Sequence, residues 1–133
     1  MNQQQFDKYN ILYNYLFNLE AKKFTLKSFI DGRPEDLGKR KPFCNTKGCL
    51  SGYLPIVFPT DWHFVDIIVP LLIKNSSGLY SKDMSVYLGL DEQEILQLTV
   101  AKNYNRPNLE NVLGRMKLLG RTYGFSLRVD KYR

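Results

Sequence analysis

Two cysteines and a single histidine are the residues of this sequence with the greatest capacity for chemistry. Cys44 and Cys49 lie close together, and His63 is the one histidine of the chain. With a carboxylate such as Asp61, these are side chains that hold zinc, and with Asp61 or Asp66 they could form a Cys-His-Asp nucleophilic site. Their spacing matches neither a zinc knuckle nor a redox Cys-x-x-Cys motif. We therefore expect both cysteines to be small packing residues, and keep a Cys/His metal-binding protein or enzyme as an alternative.

A basic loop precedes the second cysteine. Its glycines, prolines and charges break regular structure and favour exposure. Asn45 or Thr46 could cap a helix that begins near Lys47, and the N-terminus of a helix attracts anions. The sequence lacks the GxxxxGK[ST] pattern of a P-loop. The pattern predicts a site for a phosphate of a nucleotide or nucleic acid, with a solvated basic loop as the alternative; the candidate residues are Lys39, Arg40, Lys41, Thr46 and Lys47.

The C-terminal region is the second basic part of the chain. Residues 101–133 carry eight basic and two acidic side chains, whereas residues 61–100 carry two and six, and the whole chain has a net charge of +6. Basic residues alternate there with Tyr104, Tyr123 and Tyr132, a mixture that suits phosphate contact and base stacking. The candidate anion-binding residues of this region are Arg115, Lys117, Arg121 and Arg128.

These candidates must be positioned by a set of helices that the apolar spacing predicts. The first helix runs from about Gln4 to Lys22, and a short one from about Lys47 is limited by prolines. Residues 81–90 and 91–100 predict two consecutive helices, the second with a capping box between Asp91 and Glu94. Asn108 caps a further helix with Leu109, Val112, Leu113, Met116 and Leu119 on its apolar face.

Two segments carry the strand signals. Residues 62–73 are apolar and could form either a buried strand or a buried helix. Phe125, Leu127 and Val129 alternate with polar residues, which predicts a C-terminal strand with one buried side. The predicted fold is a small single α+β domain over residues 1–133, mostly helical, with about five helices and a minor sheet that includes the C-terminal strand.

Residues 84–98 have the apolar skeleton of a helix-turn-helix motif. The second helix of the motif, however, opens with Asp91, Glu92 and Glu94, whose carboxylates would repel phosphates. We therefore expect a tight corner between two helices at this position rather than a DNA-reading element.

Residues 44–53 read CNTKGCLSGY, which resembles a motif found in a group of small, uncharacterised phage proteins. The motif is Cys-x-Thr-x-x-Cys-x-x-Gly followed by an aromatic residue, and residues 24–29 and 87–90 are also similar in kind and order. The resemblance implies a phage or prophage protein that acts in the cytoplasm of a bacterial host, and it favours binding over catalysis.

These features predict a non-catalytic, phage-type accessory protein without a cofactor. Its partner would be nucleic acid or a nucleotide, bound through the basic loop and the basic C-terminal region. The alternative is a protein-interaction module that inhibits or redirects a host or defence protein through exposed aromatic residues. No apolar stretch approaches the roughly 20 residues that span a membrane, so we expect no membrane partner.

Overall fold

The computed structural model describes residues 1–20, 23–24, 30–31, 47–48, 50–65 and 69–129 of the 133-residue chain. Within them the chain is mostly helical, with two small antiparallel strand pairs, which confirms the predicted α+β class. The elements, in chain order, are α1 (Gln3–Phe17), β1 (Ile30–Asp31), β2 (Lys47–Gly48), α2 (Leu54–Val57), β3 (Trp62–Val65), β4 (Val69–Leu72), α3 (Tyr80–Leu88), α4 (Glu92–Thr99) and α5 (Leu109–Thr122).

Helix α1 begins with a capping box in which Asn2 and Gln5 satisfy each other's backbone N–H groups. It ends at Phe17, earlier than the predicted Lys22. Both the backbone N–H and the side chain of Asn18 donate to the carbonyl of Asn14, and this local bonding competes with further helical turns.

The segment around the second cysteine departs from the prediction at the residues that the structure describes. Lys47 and Gly48 form β2, which pairs antiparallel with β1, so the helix predicted to begin near Thr46 is wrong at these two positions. Among the described residues of this segment the helix is α2, with Pro55 in its first turn. Proline is well tolerated there, because the first backbone N–H groups of a helix have no intrahelical partner.

Residues 62–65 (β3) and 69–72 (β4) form an antiparallel strand pair, called the hairpin below, which resolves the choice between strand and helix at these positions. In its register Trp62 lies opposite Leu72 and Phe64 lies opposite Pro70. A proline is compatible with this position because the sheet has only two strands in the described residues, and an edge strand need not donate from every residue.

Helices α3, α4 and α5 agree with the prediction in number and order. Asp91 and Glu94 form the predicted capping box of α4, and the Asn108 side chain accepts from the N–H of Asn111 at the start of α5. Gly89 ends α3 with φ 75°, a left-handed conformation that few residues other than glycine adopt readily. The predicted corner between two helices is therefore present between α3 and α4.

Helix α1 lies at the centre of the packing, with α3 and α5 against it. Tyr9 is fully buried, and its hydroxyl donates to the carbonyl of Met116 on α5 at 2.6 Å. Burial raises the pKa of Tyr9 far above its ordinary value, so the hydroxyl keeps its proton and its bond at any ordinary pH. The central helix is thereby held to α5 by a directional contact as well as by apolar packing.

Residues 125–129, predicted as a C-terminal strand, are not part of a sheet in the described residues. Burial alternates along residues 125–129 as predicted. The backbone partners, however, are side chains of α1: the N–H of Arg128 donates to Asn10 Oδ1 at 2.9 Å, and Asn14 Nδ2 donates to the carbonyl of Arg128 at 2.6 Å. Two asparagine side chains one helical turn apart thus make the backbone hydrogen bonds that a neighbouring strand would otherwise make.

Candidate anion-binding surface

Two of the predicted cationic residues lie on the exposed face of α5. The helix buries Leu109, Val112 and Met116, which leaves Lys117 and Arg121 on the solvent side. These two side chains are four residues apart and so lie one turn, about 6 Å, apart along the helix axis. They form a short row of positive charge at the C-terminal end of α5.

The same exposed face contains two residues that contribute no charge. Leu118 is 63% exposed, and a methyl group placed on Gly114 would have no neighbour within 4 Å. The helix surface beside Lys117 is therefore open, and nothing in the fold requires glycine at position 114.

Arg128 adds a third exposed cation after α5. Its backbone is fixed on both sides by Asn10 and Asn14, so the position of its Cα is defined even though its side chain is free. Within the described residues, Lys117, Arg121 and Arg128 make no ion pair with a carboxylate. Their charges are therefore available to an external anion.

Arg115, the fourth candidate of this region, is engaged within the fold. One of its Nη atoms donates to the carbonyl of Gln97 at 2.7 Å and to that of Asn103 at 2.9 Å. Its guanidinium also lies 3.9 Å from the centroid of the Tyr104 ring, at cation–π distance. Arg115 joins α5 to the C-terminal end of α4, so its guanidinium is not part of the candidate surface.

The tyrosines predicted to stack on bases are also engaged within the fold. Tyr104 is buried, one face of its ring is covered by Arg115, and its hydroxyl donates to the carbonyl of Leu98 at 2.8 Å. Tyr123 donates its hydroxyl proton to Glu94, at the start of α4. These two rings are not free stacking platforms, and Tyr132 lies outside the described residues.

The pKa values of these tyrosines reflect the same contacts. Burial raises the pKa of Tyr104 to about 12, although Arg115 acts in the opposite direction. The hydrogen bond to Glu94, with some burial, raises the pKa of Tyr123 to about 12. Both hydroxyls are therefore protonated donors near neutral pH rather than potential bases.

The rest of the predicted anion site falls largely outside the described residues. This applies to Lys39, Arg40, Lys41 and Thr46, and to the side chain of Lys47. The backbone of Lys47 belongs to β2, so the helix N-terminus on which that prediction relied is absent there.

The metal and nucleophile candidates are not brought together in the described residues. His63 is exposed on β3, opposite Leu71, while Cys44 and Cys49 lie outside the described part of the chain. The described residues contain no group of three His, Cys, Asp or Glu side chains that could hold a metal ion.

A second polar cluster, which the sequence analysis missed, lies where α1, the hairpin and α3 meet. Tyr87 donates to Asp61 Oδ2 at 2.6 Å, and the Lys8 ammonium lies 4.1 Å from the centroid of the Tyr87 ring. These residues are up to 79 positions apart and have no common motif, so no sequence signal could have found them.

Comparison with known proteins does not assign the chain to a class. No protein family, curated protein or solved structure matches it. None of the helices in the described part of the chain is long and apolar enough to cross a bilayer.

Proposed function

We propose that this chain is a non-catalytic, phage-type accessory protein that binds the phosphate backbone of a nucleic acid in the bacterial cytoplasm. The observation that carries the proposal is a set of three exposed cations that make no ion pair within the described part of the chain: Lys117, Arg121 and Arg128, on α5 and the segment after it. Cations of this kind displace the counterions of a polyanion without first breaking an internal contact.

The environment of the tyrosines favours phosphate contact over base stacking. Tyr104 and Tyr123 are both held by the fold, so neither is available as the aromatic platform that single-strand binding proteins use. The exposed cations, in contrast, are spaced along a helix and can meet several phosphates. This arrangement favours a duplex over a single strand, and a polymer over a mononucleotide.

The test is the affinity for a fluorescently labelled duplex of about 20 base pairs, measured by anisotropy at several salt concentrations. Arg121→Glu should weaken binding strongly, whereas the matched control Lys82→Glu on α3 should weaken it only slightly. The double variant Lys117→Gln/Arg121→Gln should reduce the slope of log K against log salt by about 1.8, since each phosphate contact contributes about 0.9. Affinity that is insensitive to salt, or equal losses in Arg121→Glu and Lys82→Glu, would refute the proposal.

The basic loop remains part of the proposal as a second contact. A triple charge reversal at Lys39, Arg40 and Lys41 should lower the affinity further in the Arg121→Glu background. If the loop variant alone abolishes binding while Arg121→Glu has no effect, the loop and not α5 is the binding surface.

A second candidate function is a protein-interaction module, and the exposed face of α3 favours it. Val86 is 70% exposed and Leu79, immediately before the helix, is 59% exposed, with the exposed Lys82 between them in sequence. Large apolar side chains exposed together are typical of protein interfaces. Under this alternative, Val86→Asp should abolish association with a host protein, and Arg121→Glu should leave it intact.

A further inference from the structure

A pocket lies between α1, the hairpin and α3, away from the exposed face of α5. Its volume is about 270 Å³, and its polar lining comprises Lys8, Thr60, Asp61, Lys74 and Tyr87. A cavity needs only about 10–15 Å³ to hold one water, so the pocket has room for several waters. It can therefore hold an anion larger than a single inorganic phosphate.

Hydrogen-bond donors outnumber acceptors among the side chains around this pocket. The ammonium groups of Lys8 and Lys74 and the hydroxyl of Thr60 have no hydrogen-bond partner among the described residues. The only carboxylate in the lining, that of Asp61, already accepts the hydroxyl proton of Tyr87. With two ammonium groups against one carboxylate, the lining has a positive formal charge, and the two ammonium groups have no acceptor among the described residues.

The position of the first lysine is defined by the fold. Lys8 Nζ lies 4.1 Å from the centroid of the Tyr87 ring, and Tyr87 is itself packed edge-on against Trp62 and Phe58. The tyrosine therefore cannot turn away, and its quadrupole favours a cation over its face. One ammonium group is thus positioned at the pocket before any ligand arrives.

An apolar wall completes the pocket. Leu72 and Ile73 lie in its lining beside the polar groups. A pocket that combines a few convergent polar groups with an apolar wall fits a small organic molecule better than a bare ion.

We propose that this pocket binds a small phosphate monoester. Its phosphate lies between Lys8 and Lys74 with the Thr60 hydroxyl as a further donor, and its carbon part lies against Leu72 and Ile73. Such a ligand supplies the acceptor oxygens that the donors lack, and each contact is charge-assisted. This site is separate from the α5 face, so it does not depend on the proposed nucleic-acid binding.

The test is a two-dimensional amide NMR titration of the full chain at constant ionic strength, with glycerol 3-phosphate, inorganic phosphate and acetate as probes. Glycerol 3-phosphate should shift the amide signals of Thr60, Ile73 and Lys74 with an affinity at least as high as that of inorganic phosphate. Acetate should bind more weakly at the same residues. Shifts concentrated on α5, or acetate binding as tightly as the phosphate ester, would overturn the proposal.

Lysine variants provide the second part of the test. Lys74→Gln alters an exposed side chain that makes no hydrogen bond or ion pair within the described residues, so it should fold normally and lower the affinity for glycerol 3-phosphate by at least about threefold. Lys8→Gln should have a larger effect, and Lys8→Arg should restore part of the affinity. Lys82→Gln is the matched control and should bind like the unaltered chain; an equal loss in this control, or none in Lys74→Gln, refutes the site. Arg121→Glu should leave phosphate-ester binding unchanged, which separates this result from the outcome of the duplex assay.

Discussion

The carboxylate of Asp83 fastens the loop before α3 to the hairpin, and replacing it should destabilise the whole fold. Asp83 is only 2% exposed. Its Oδ2 accepts from the N–H of Leu72 at 2.9 Å and from Ser76 Oγ at 2.6 Å, and its Oδ1 accepts from the N–H and the hydroxyl of Ser77 at 2.8 and 2.7 Å. Four donors therefore converge on one carboxylate.

The substitution Asp83→Asn keeps the shape of the side chain but converts one of its oxygens to an NH₂ group. On that side a backbone N–H, of Leu72 or of Ser77, then faces another donor and loses its acceptor. A hydrogen bond to a charged group is worth about 1.5–3 kcal/mol, and a buried unsatisfied N–H costs about 1–3 kcal/mol. Because the two terms overlap and the serine hydroxyls can rotate, we expect a loss of about 3 kcal/mol in the free energy of unfolding.

Urea unfolding followed by circular dichroism measures this loss. With an m value of about 1.5 kcal/mol/M, the midpoint should fall by about 2 M. The control is Asp7→Asn, because Asp7 is exposed on α1 and accepts one hydrogen bond from Gln3. A loss below about 0.5 kcal/mol in Asp83→Asn, the range of ordinary surface substitutions, would show that the carboxylate does not hold the loop.

The pH dependence of stability gives an independent measure of the same carboxylate. Burial acts to raise the pKa of Asp83, but the hydrogen bonds from Ser76, Ser77 and Leu72 outweigh it and lower the pKa. Because the pKa of Asp83 is lower in the folded chain, its contribution to the free energy of unfolding is complete above the pKa of the unfolded chain, near 3.9. This contribution is lost as the pH falls through the pKa of the folded chain. Stability should therefore decrease below about pH 4, and less steeply in Asp83→Asn.

Four other substitutions or titrations test separate parts of the fold. Gly114→Ala should raise the free energy of unfolding by about 1 kcal/mol, measured by thermal melting, because this exposed position within a helix has no need of glycine. Gly89→Ala should lower it by more than about 1 kcal/mol, since φ is 75° and the new methyl would lie 2.4 Å from a side-chain oxygen of α1. Asn14→Ala should cost about 1–2 kcal/mol and accelerate amide exchange in the C-terminal segment, which loses one of its two hydrogen bonds to asparagine side chains of α1. In an absorbance titration Tyr104 and Tyr123 should ionise near pH 12. Because their pKa values are raised by folding, their contribution to the free energy of unfolding is complete below about pH 10 and is lost as the pH rises towards 12. Ionisation of either tyrosine near pH 10 in the folded chain would contradict these contacts.

The helical part of the fold could be predicted because its signals are local. The capping box of Asp91 and Glu94 and the cap at Asn108 act within four residues, and the apolar spacing of α5 repeats over several turns. Signals of this kind depend little on the rest of the chain, so the starts of α4 and α5 agree with the prediction.

The parts that could not be predicted depend on distant residues. The hairpin forms from a segment without clear periodicity, and Pro55, interpreted as limiting a helix, instead lies in the first turn of α2. The strand-like alternation of residues 125–129 is real, but the identity of its partner, α1, is not encoded in the alternation.

Some residues of the candidate site could also be predicted from a local pattern, whereas others depend on distant contacts. Lys117 and Arg121 could be assigned to an exposed face from the apolar period of α5 alone. The engagement of Arg115 and Tyr104 depends on the approach of α4 to α5, which the sequence does not specify. The cluster around Lys8 joins three elements and leaves no pattern in the sequence.

The contacts between α1 and the C-terminal segment have a consequence for how the chain matures on the ribosome. Asn10 and Asn14 meet Arg128 across 118 and 114 positions, and Phe6 stacks on Phe125 with ring centroids 4.4 Å apart. At a synthesis rate of about 5–20 residues per second, roughly 6–24 s separate the appearance of the two partners. During this interval the apolar face of the first helix emerges without its final cover. The first helix can therefore make its contacts with the C-terminal segment only after translation has passed residue 128.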